Sequence, residues 1–322
     1  GASVTILGIM SAKTMNRAGY DVQLAAGTIT AGGTLGILIP PSIMLVVMGP
    51  ILNVPVTDLF AAAIMPGLML AALYTGYTLI RCHLNPSLGP VVPEDLIPDS
   101  MREVWVEFFK GLVPPVLLVG SSLGSILAGL ATPTEGAAMG AVGSIFLTLA
   151  YRKLNFKVFQ EALLKTLEIT TLIMVLVCAS NFFGSVFSRL GTPTMITEAL
   201  MLLDLPPTAI LLIVMAFIFL LAWPLEWVPI VLIIIPIVLP LIEQLGFNLI
   251  WFGILVAVNL QTAWLSPPVA LSAYFLKGVA PDWDLSDIYK GMMQFMAIQV
   301  VGLALIIIFP QIVLWLPEYL YG

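Results

Sequence analysis

Apolar stretches separated by short polar breaks run the length of the chain, and they come in two sizes. Residues 59–80, 111–130, 136–150 and 167–187 read as membrane spans, and residues 288–316 as a final long helix. Residues 3–17, 208–222 and 228–242 are short for crossing about 30 Å of hydrocarbon at ~1.5 Å per helical residue. The last two flank Trp223-Pro224-Leu225-Glu226-Trp227, which predicts a re-entrant hairpin over residues 208–242 with its tip at mid-membrane. Residues 82–103 are the one long polar connection, and they run into an amphipathic piece, residues 104–110, expected to lie along the interface. Residues 81–110 thus read as a linker between two halves, residues 1–80 and 111–322.

Two stretches are apolar enough for the bilayer yet cannot be continuous helix. The first has arms at residues 22–33 and 42–52 around Gly32-Gly33-Thr34-Leu35-Gly36-Ile37-Leu38-Ile39-Pro40-Pro41-Ser42. Glycines weaken a helix, and two prolines remove two backbone donors and clash with the preceding turn, so carbonyls over residues 34–39 are expected to lose their helical partners. The second, residues 249–277, has arms at 249–263 and 268–277 around Asn259-Leu260-Gln261-Thr262-Ala263-Trp264-Leu265-Ser266-Pro267-Pro268-Val269. Gly19-Tyr20-Asp21 precedes the first Pro-Pro by the same 21 positions as Gly246-Phe247-Asn248 precedes the second, so the chain repeats at an offset of 227. Residue 228 then aligns with residue 1, which makes Gly1-Ala2-Ser3 the remnant of a first hairpin tip and predicts that the chain is a fragment.

Composition sharpens this pattern. With 60% hydrophobic residues, 9% charged residues and a mean hydropathy of +1.08, the chain falls among all-α polytopic membrane proteins. The net charge of −6 comes from scattered loop residues, and with no basic cluster there is no reason to expect a nucleic-acid partner. Cys82 and Cys178 have no CxxC spacing and read as apolar fillers. His83, the single histidine, sits in a polar stretch and HExxH is absent, so an intramembrane enzyme is not indicated. Tracing the predicted topology puts Lys13, Arg17, Arg81, Arg102, Lys110, Arg152, Lys153, Lys157, Lys165, Lys277 and Lys290 on one face and Arg189 alone on the other. The positive-inside rule makes the crowded face cytoplasmic and gives the two repeats opposite orientation.

Unpaired carbonyls and hydroxyls at membrane depth form a hard-oxygen environment that suits an alkali cation. Gly33, Thr34 and Gly36, with the Ser3 hydroxyl, make one predicted sodium site, and Asn259, Thr262 and carbonyls near Trp264 the other. The competing reading of the first set, with Pro40, is a kink that helps packing. Glu226 is the one acid placed deep in the membrane, and it reads either as a sodium-coupling carboxylate or as the cap of residues 228–230. Pro41 and Ser42 open a helix at mid-depth whose N-terminal dipole favours a carboxylate, so Ser3, Pro41, Ser42, Ser266 and Pro268 are the expected substrate-facing residues. No organic cofactor and no metal other than sodium is expected. A channel would expose both breaks to both sides at once, a carrier to one side at a time.

Gly19-Tyr20-Asp21, the run over residues 32–42, Ala131-Thr132-Pro133-Thr134-Glu135 and the run over residues 259–269 resemble the large membrane subunit of TRAP transporters, collinearly over nearly the whole chain. The resemblance implies a sodium-driven importer of organic acids with an elevator movement in a bacterial inner membrane. It also implies two partners, a small four-helix membrane subunit and a periplasmic substrate-binding protein. A related sodium-coupled carboxylate symporter that works without a binding protein is the alternative.

Overall fold

The computed structural model describes residues 2–91, 93, 100–267 and 270–322. The chain is an all-α polytopic membrane protein. Among the described residues fourteen α-helices follow one another: α1 (Ala2–Arg17), α2 (Val22–Leu38), α3 (Ile43–Leu52), α4 (Val56–Leu84), α5 (Met101–Leu127), α6 (Pro133–Ala150), α7 (Phe156–Arg189), α8 (Thr192–Met201), α9 (Pro207–Ala222), α10 (Trp227–Gln244), α11 (Leu249–Leu265), α12 (Leu271–Val279), α13 (Leu285–Ile308) and α14 (Gln311–Tyr321). Among the described residues, five helices are long and apolar enough to cross a membrane, six if the bent pair α2–α3 counts as one span.

The 227-residue offset recurs in the helices themselves. Both ends of α11 stand 227 residues after both ends of α2, and each helix has 17 residues. Their N-caps match too: the Asp21 carboxylate accepts from the Leu24 N–H at 2.9 Å, and the Asn248 side-chain oxygen accepts from Ile250 and Trp251 at 2.9 and 3.1 Å. Gly19 and Gly246, in the turns before them, both take a left-handed conformation, with φ of 78° and 75°.

Contacts divide the chain into two compact units, Gly1–Val91 with Ser180–Gly322, and Val92–Ala179. In the larger unit α11 is the central helix, buried along almost its whole length against α2, α3, α4, α9, α13 and α14. Part of the packing crosses between the copies. Helix α2 lies on α13 while its counterpart α11 lies on α4, and α1 lies on α12 while α10 lies on α3. Reciprocal contacts of this kind are what a two-fold relation between copies produces. Lipid tails are as apolar as leucine, so such packing is favoured by close approach and hydrogen bonds rather than by escape from water. In the smaller unit α5 packs on α6, where the Ser122 hydroxyl donates to the Gly136 carbonyl at 2.6 Å. Thr132 caps α6 in a capping box with Glu135.

Three sequence expectations are corrected. Residues 104–110 are not a separate amphipathic helix, since α5 runs unbroken from Met101 to Leu127 through Pro114 and Pro115. The final helix is not continuous over 288–316. It stops at Ile308 because Pro310 has no N–H to give the Ile306 carbonyl, which instead accepts the Trp251 indole N–H at 3.1 Å. The first break is also narrower than expected: α2 stays helical through Gly33 and Gly36 to Leu38, so their role is not to weaken it.

Candidate functional site

Proline chemistry decides which carbonyls are released. In α2 the Gly36 carbonyl would be served by residue 40 and the Ile37 carbonyl by residue 41, and both are prolines without an N–H. Ile37 is compensated, because the Ser42 hydroxyl donates to its carbonyl. In α11 the carbonyls of Ala263 and Trp264 lose their helical donors in the same way to Pro267 and Pro268. The Thr262 carbonyl is served by the Ser266 hydroxyl at 2.6 Å. The prolines therefore release the carbonyls of residues 36, 263 and 264, while the Leu35 carbonyl keeps its helical donor, the Ile39 N–H, at 2.8 Å.

Gly33 and Gly36 let α1 reach this backbone. A Cβ on Gly33 would run into the Val4 side chain and stand 3.0 Å from the Val4 N and Cα, and one on Gly36 would meet the Ser3 hydroxyl at 3.1 Å. The structure thus brings together Ser3, Gly33 and Gly36 of the first predicted sodium site, with Ser3 and Gly36 exposed. Thr34 is a correction. Its carbonyl accepts the Gln261 side-chain N–H at 3.1 Å and its buried hydroxyl donates to the Ala31 carbonyl at 2.7 Å, so only hydroxyl lone pairs remain for a cation.

The second site is built on α11, where Asn259 and Thr262 are buried. The Asn259 amide donates to the Met215 carbonyl of α9 at 2.8 Å and its Oδ1 is buried without a hydrogen-bond partner. Thr262 donates to the Asn259 carbonyl at 2.6 Å, which leaves its oxygen lone pairs free. With the Ala263 and Trp264 carbonyls these make an oxygen-only donor set. Such a set fits a hard alkali cation, and it contains no thiolate or imidazole for a transition metal. Trp264 stacks on Phe275 of α12, with ring centroids 6.2 Å apart.

Glu226 stands at the N-cap position of α10, exposed, and its carboxylate makes no capping hydrogen bond, so the capping alternative is not realised. Pro41 is exposed, but Ser42 is buried and committed to α2 and α3, donating to Ile37 and accepting from the Leu45 N–H at 3.4 Å. Ser266 is buried and committed to Thr262. Neither hydroxyl is offered to a substrate as it stands, which corrects both expectations, while Pro268 lies outside the described residues.

Gln261 and Gln299 were not anticipated. Both are wholly buried, and the signal for them was the rarity of amides inside such apolar stretches. Gln261 and Thr34 are 227 residues apart, so the hydrogen bond joins a residue to its own repeat counterpart. A residue that touches its counterpart lies beside the axis relating two copies.

A family profile described as "Tripartite ATP-independent periplasmic transporter, DctM component" matches residues 1–312. The chain belongs to the DctM family. It is a permease family and not an enzyme family. Among curated relatives, the chain is 28% identical to the sialic acid TRAP transporter large permease protein SiaM of Vibrio cholerae, over 98% of this chain and 72% of that protein. It is 30% identical to the C4-dicarboxylate TRAP transporter large permease protein DctM of Pseudomonas aeruginosa, over 99% of this chain and 73% of that protein. With the sialic acid TRAP transporter permease protein SiaT of Haemophilus influenzae the identity is 26% over 98% of this chain, which spans only 50% of that relative.

Proposed function

We propose that this DctM-family chain is the ion- and substrate-carrying part of a sodium-coupled importer of organic acids in a bacterial inner membrane. The observation that carries the proposal is the pair of breaks at one repeat offset, each with carbonyls released by prolines and each beside hydroxyl or amide oxygens. Sodium is the coupling ion in this reading, held by Gly36 and Ser3 at one break and by Asn259, Thr262, Ala263 and Trp264 at the other. Neutral oxygens bind it without the cost of a buried carboxylate, and a bound cation then attracts an acidic substrate. Relatives named for sialic acid, C4-dicarboxylates and 2,3-diketo-L-gulonate support an organic acid as the transported class.

Residues 208–242 form the hairpin of the second inverted repeat in this reading, supported by the packing of α8 on α10 while five residues link α8 to α9. Residues 1–80 are the matching part of the first. The hairpins and broken helices move together as an elevator against the remaining helices. A small four-helix subunit completes the membrane part, and a periplasmic binding protein delivers substrate.

Uptake by the complete complex in liposomes, with a panel of organic acids and with sodium and pH gradients imposed separately, is the direct test. Uptake is expected to need the binding protein and a sodium gradient. Uptake driven by a pH gradient alone would overturn the sodium sites and move coupling to Glu226, and uptake without the binding protein would favour the stand-alone symporter.

A further inference from the structure

A hydrogen-bond chain that no local sequence pattern announces runs between the two breaks. The Tyr74 hydroxyl of α4 donates to the Gln299 Oε1 of α13 at 3.3 Å. The Gln299 amide donates at 2.8 Å both to the Val258 carbonyl of α11 and to the Gln261 Oε1. The Gln261 amide in turn donates to the Thr34 carbonyl of α2 at 3.1 Å. All five residues in the chain are buried, Gln261 and Gln299 completely. Two of its three ends are backbone: Thr34 lies two residues before the released carbonyl of Gly36, and Val258 lies next to Asn259. An amide at this depth needs every donor and acceptor satisfied, and each link here has a fixed direction, so the chain holds one arrangement of the two helices.

We propose that Gln261, supported by Gln299, is a positioning residue that makes the two breaks one unit, so that sodium at one break sets the backbone at the other. The proposal rests on the sodium reading of the breaks. Energetic coupling between sites needs a physical element whose arrangement both sites bias, and this chain is the direct polar link between α11 and α2. Gln261→Met keeps the length and volume of the side chain and removes both of its hydrogen bonds.

The test uses the purified complete transporter and sodium chloride as the probe, with choline chloride holding ionic strength constant. Trp264, stacked on Phe275 at the second break, is the fluorescence reporter. Wild type is expected to bind sodium with a Hill coefficient above 1. In Gln261→Met, and in Gln299→Met, the coefficient is expected to fall to 1 and half-saturation to rise about fivefold or more, with the sodium-free melting temperature little changed. A sodium response in Gln261→Met identical to wild type overturns this inference alone, as does a loss of response that merely tracks a fall in melting temperature. A wild type that binds sodium without cooperativity also overturns it. A wild type indifferent to sodium overturns the sodium reading and this inference with it.

Discussion

The two broken helices share length, capping position and a Pro-Pro interruption, yet their surroundings differ. At α2 the positions facing α1 are Gly33 and Gly36, while the counterparts in α11 are Leu260 and Ala263. Helix α1 therefore lies directly on α2, with Ser3 and Val4 against the glycines, whereas no comparable packing joins α10 to α11. The second arms differ as well. Helix α3 is capped by the Ser42 side chain, whereas Ala270 at the start of α12 has no side-chain cap and takes a φ of 24°. A repeat thus preserves what the backbone needs in order to break, and lets side-chain size decide what reaches the break. At the first break the nearby hydroxyl, that of Ser3, comes from another helix. At the second the side-chain oxygens, those of Asn259 and Thr262, belong to the broken helix itself.

Exchanging the residues that differ gives the largest expected effect. Gly33→Leu installs the second copy's residue where the Val4 backbone leaves 3.0 Å, and no rotamer avoids that clash. It should displace α1 at a cost of at least about 3 kcal/mol, read as faster tryptic cleavage at exposed Lys13 and Arg17 and loss of uptake. Normal protection of α1 in this variant would dissolve the distinction drawn between the copies.

Removing one hydroxyl at a time sharpens the comparison. Thr262→Val should raise the sodium concentration for half-maximal binding about tenfold, the ratio that ~1.4 kcal/mol carries, with expression unchanged. Thr34→Val should raise it less, because the first break draws on Ser3 and Gly36. Equal shifts would mean that the Thr34 hydroxyl serves the first break as fully as the Thr262 hydroxyl serves the second.

The caps should behave alike. Asp21→Ala and Asn248→Ala each remove the acceptor at the start of a broken helix and should each cost about 1 kcal/mol. Thermal unfolding of the two variants side by side checks this, and a clear difference between them would show that the equivalence stops at the breaks.

The smallest effect lies outside both breaks, at the start of α6. Thr132, through its backbone N–H and its hydroxyl, holds the Glu135 carboxyl below the usual carboxylate range. A lowered folded value means a contribution fully present above the unfolded value, about pH 4.3, and lost as pH falls through the lowered one. Amide exchange in the first turn of α6 should quicken across that acidic window and stay flat above it, with sodium binding at neutral pH unaffected. Thr132→Ala should abolish the pH dependence.

Local chemistry determined much of this protein on its own. A proline has no N–H wherever it sits, so Pro40, Pro41, Pro267 and Pro268 dictate two breaks and name the carbonyls they release. Apolar stretches near the bilayer's thickness dictate helices, and Asp21 and Asn248 mark where two of them start. What the chain order could not show is which of those freed oxygens stay free. Ser42 and Ser266 look like open hydroxyls in the sequence and turn back onto their own helices in the fold. Thr34 looks like a cation ligand until Gln261, 227 residues away, takes its carbonyl. Gly33 looks like a helix breaker until Val4 is seen to need its space. Breaks arise from the covalent structure of single residues, and their partners from distances between residues that only tertiary packing brings together.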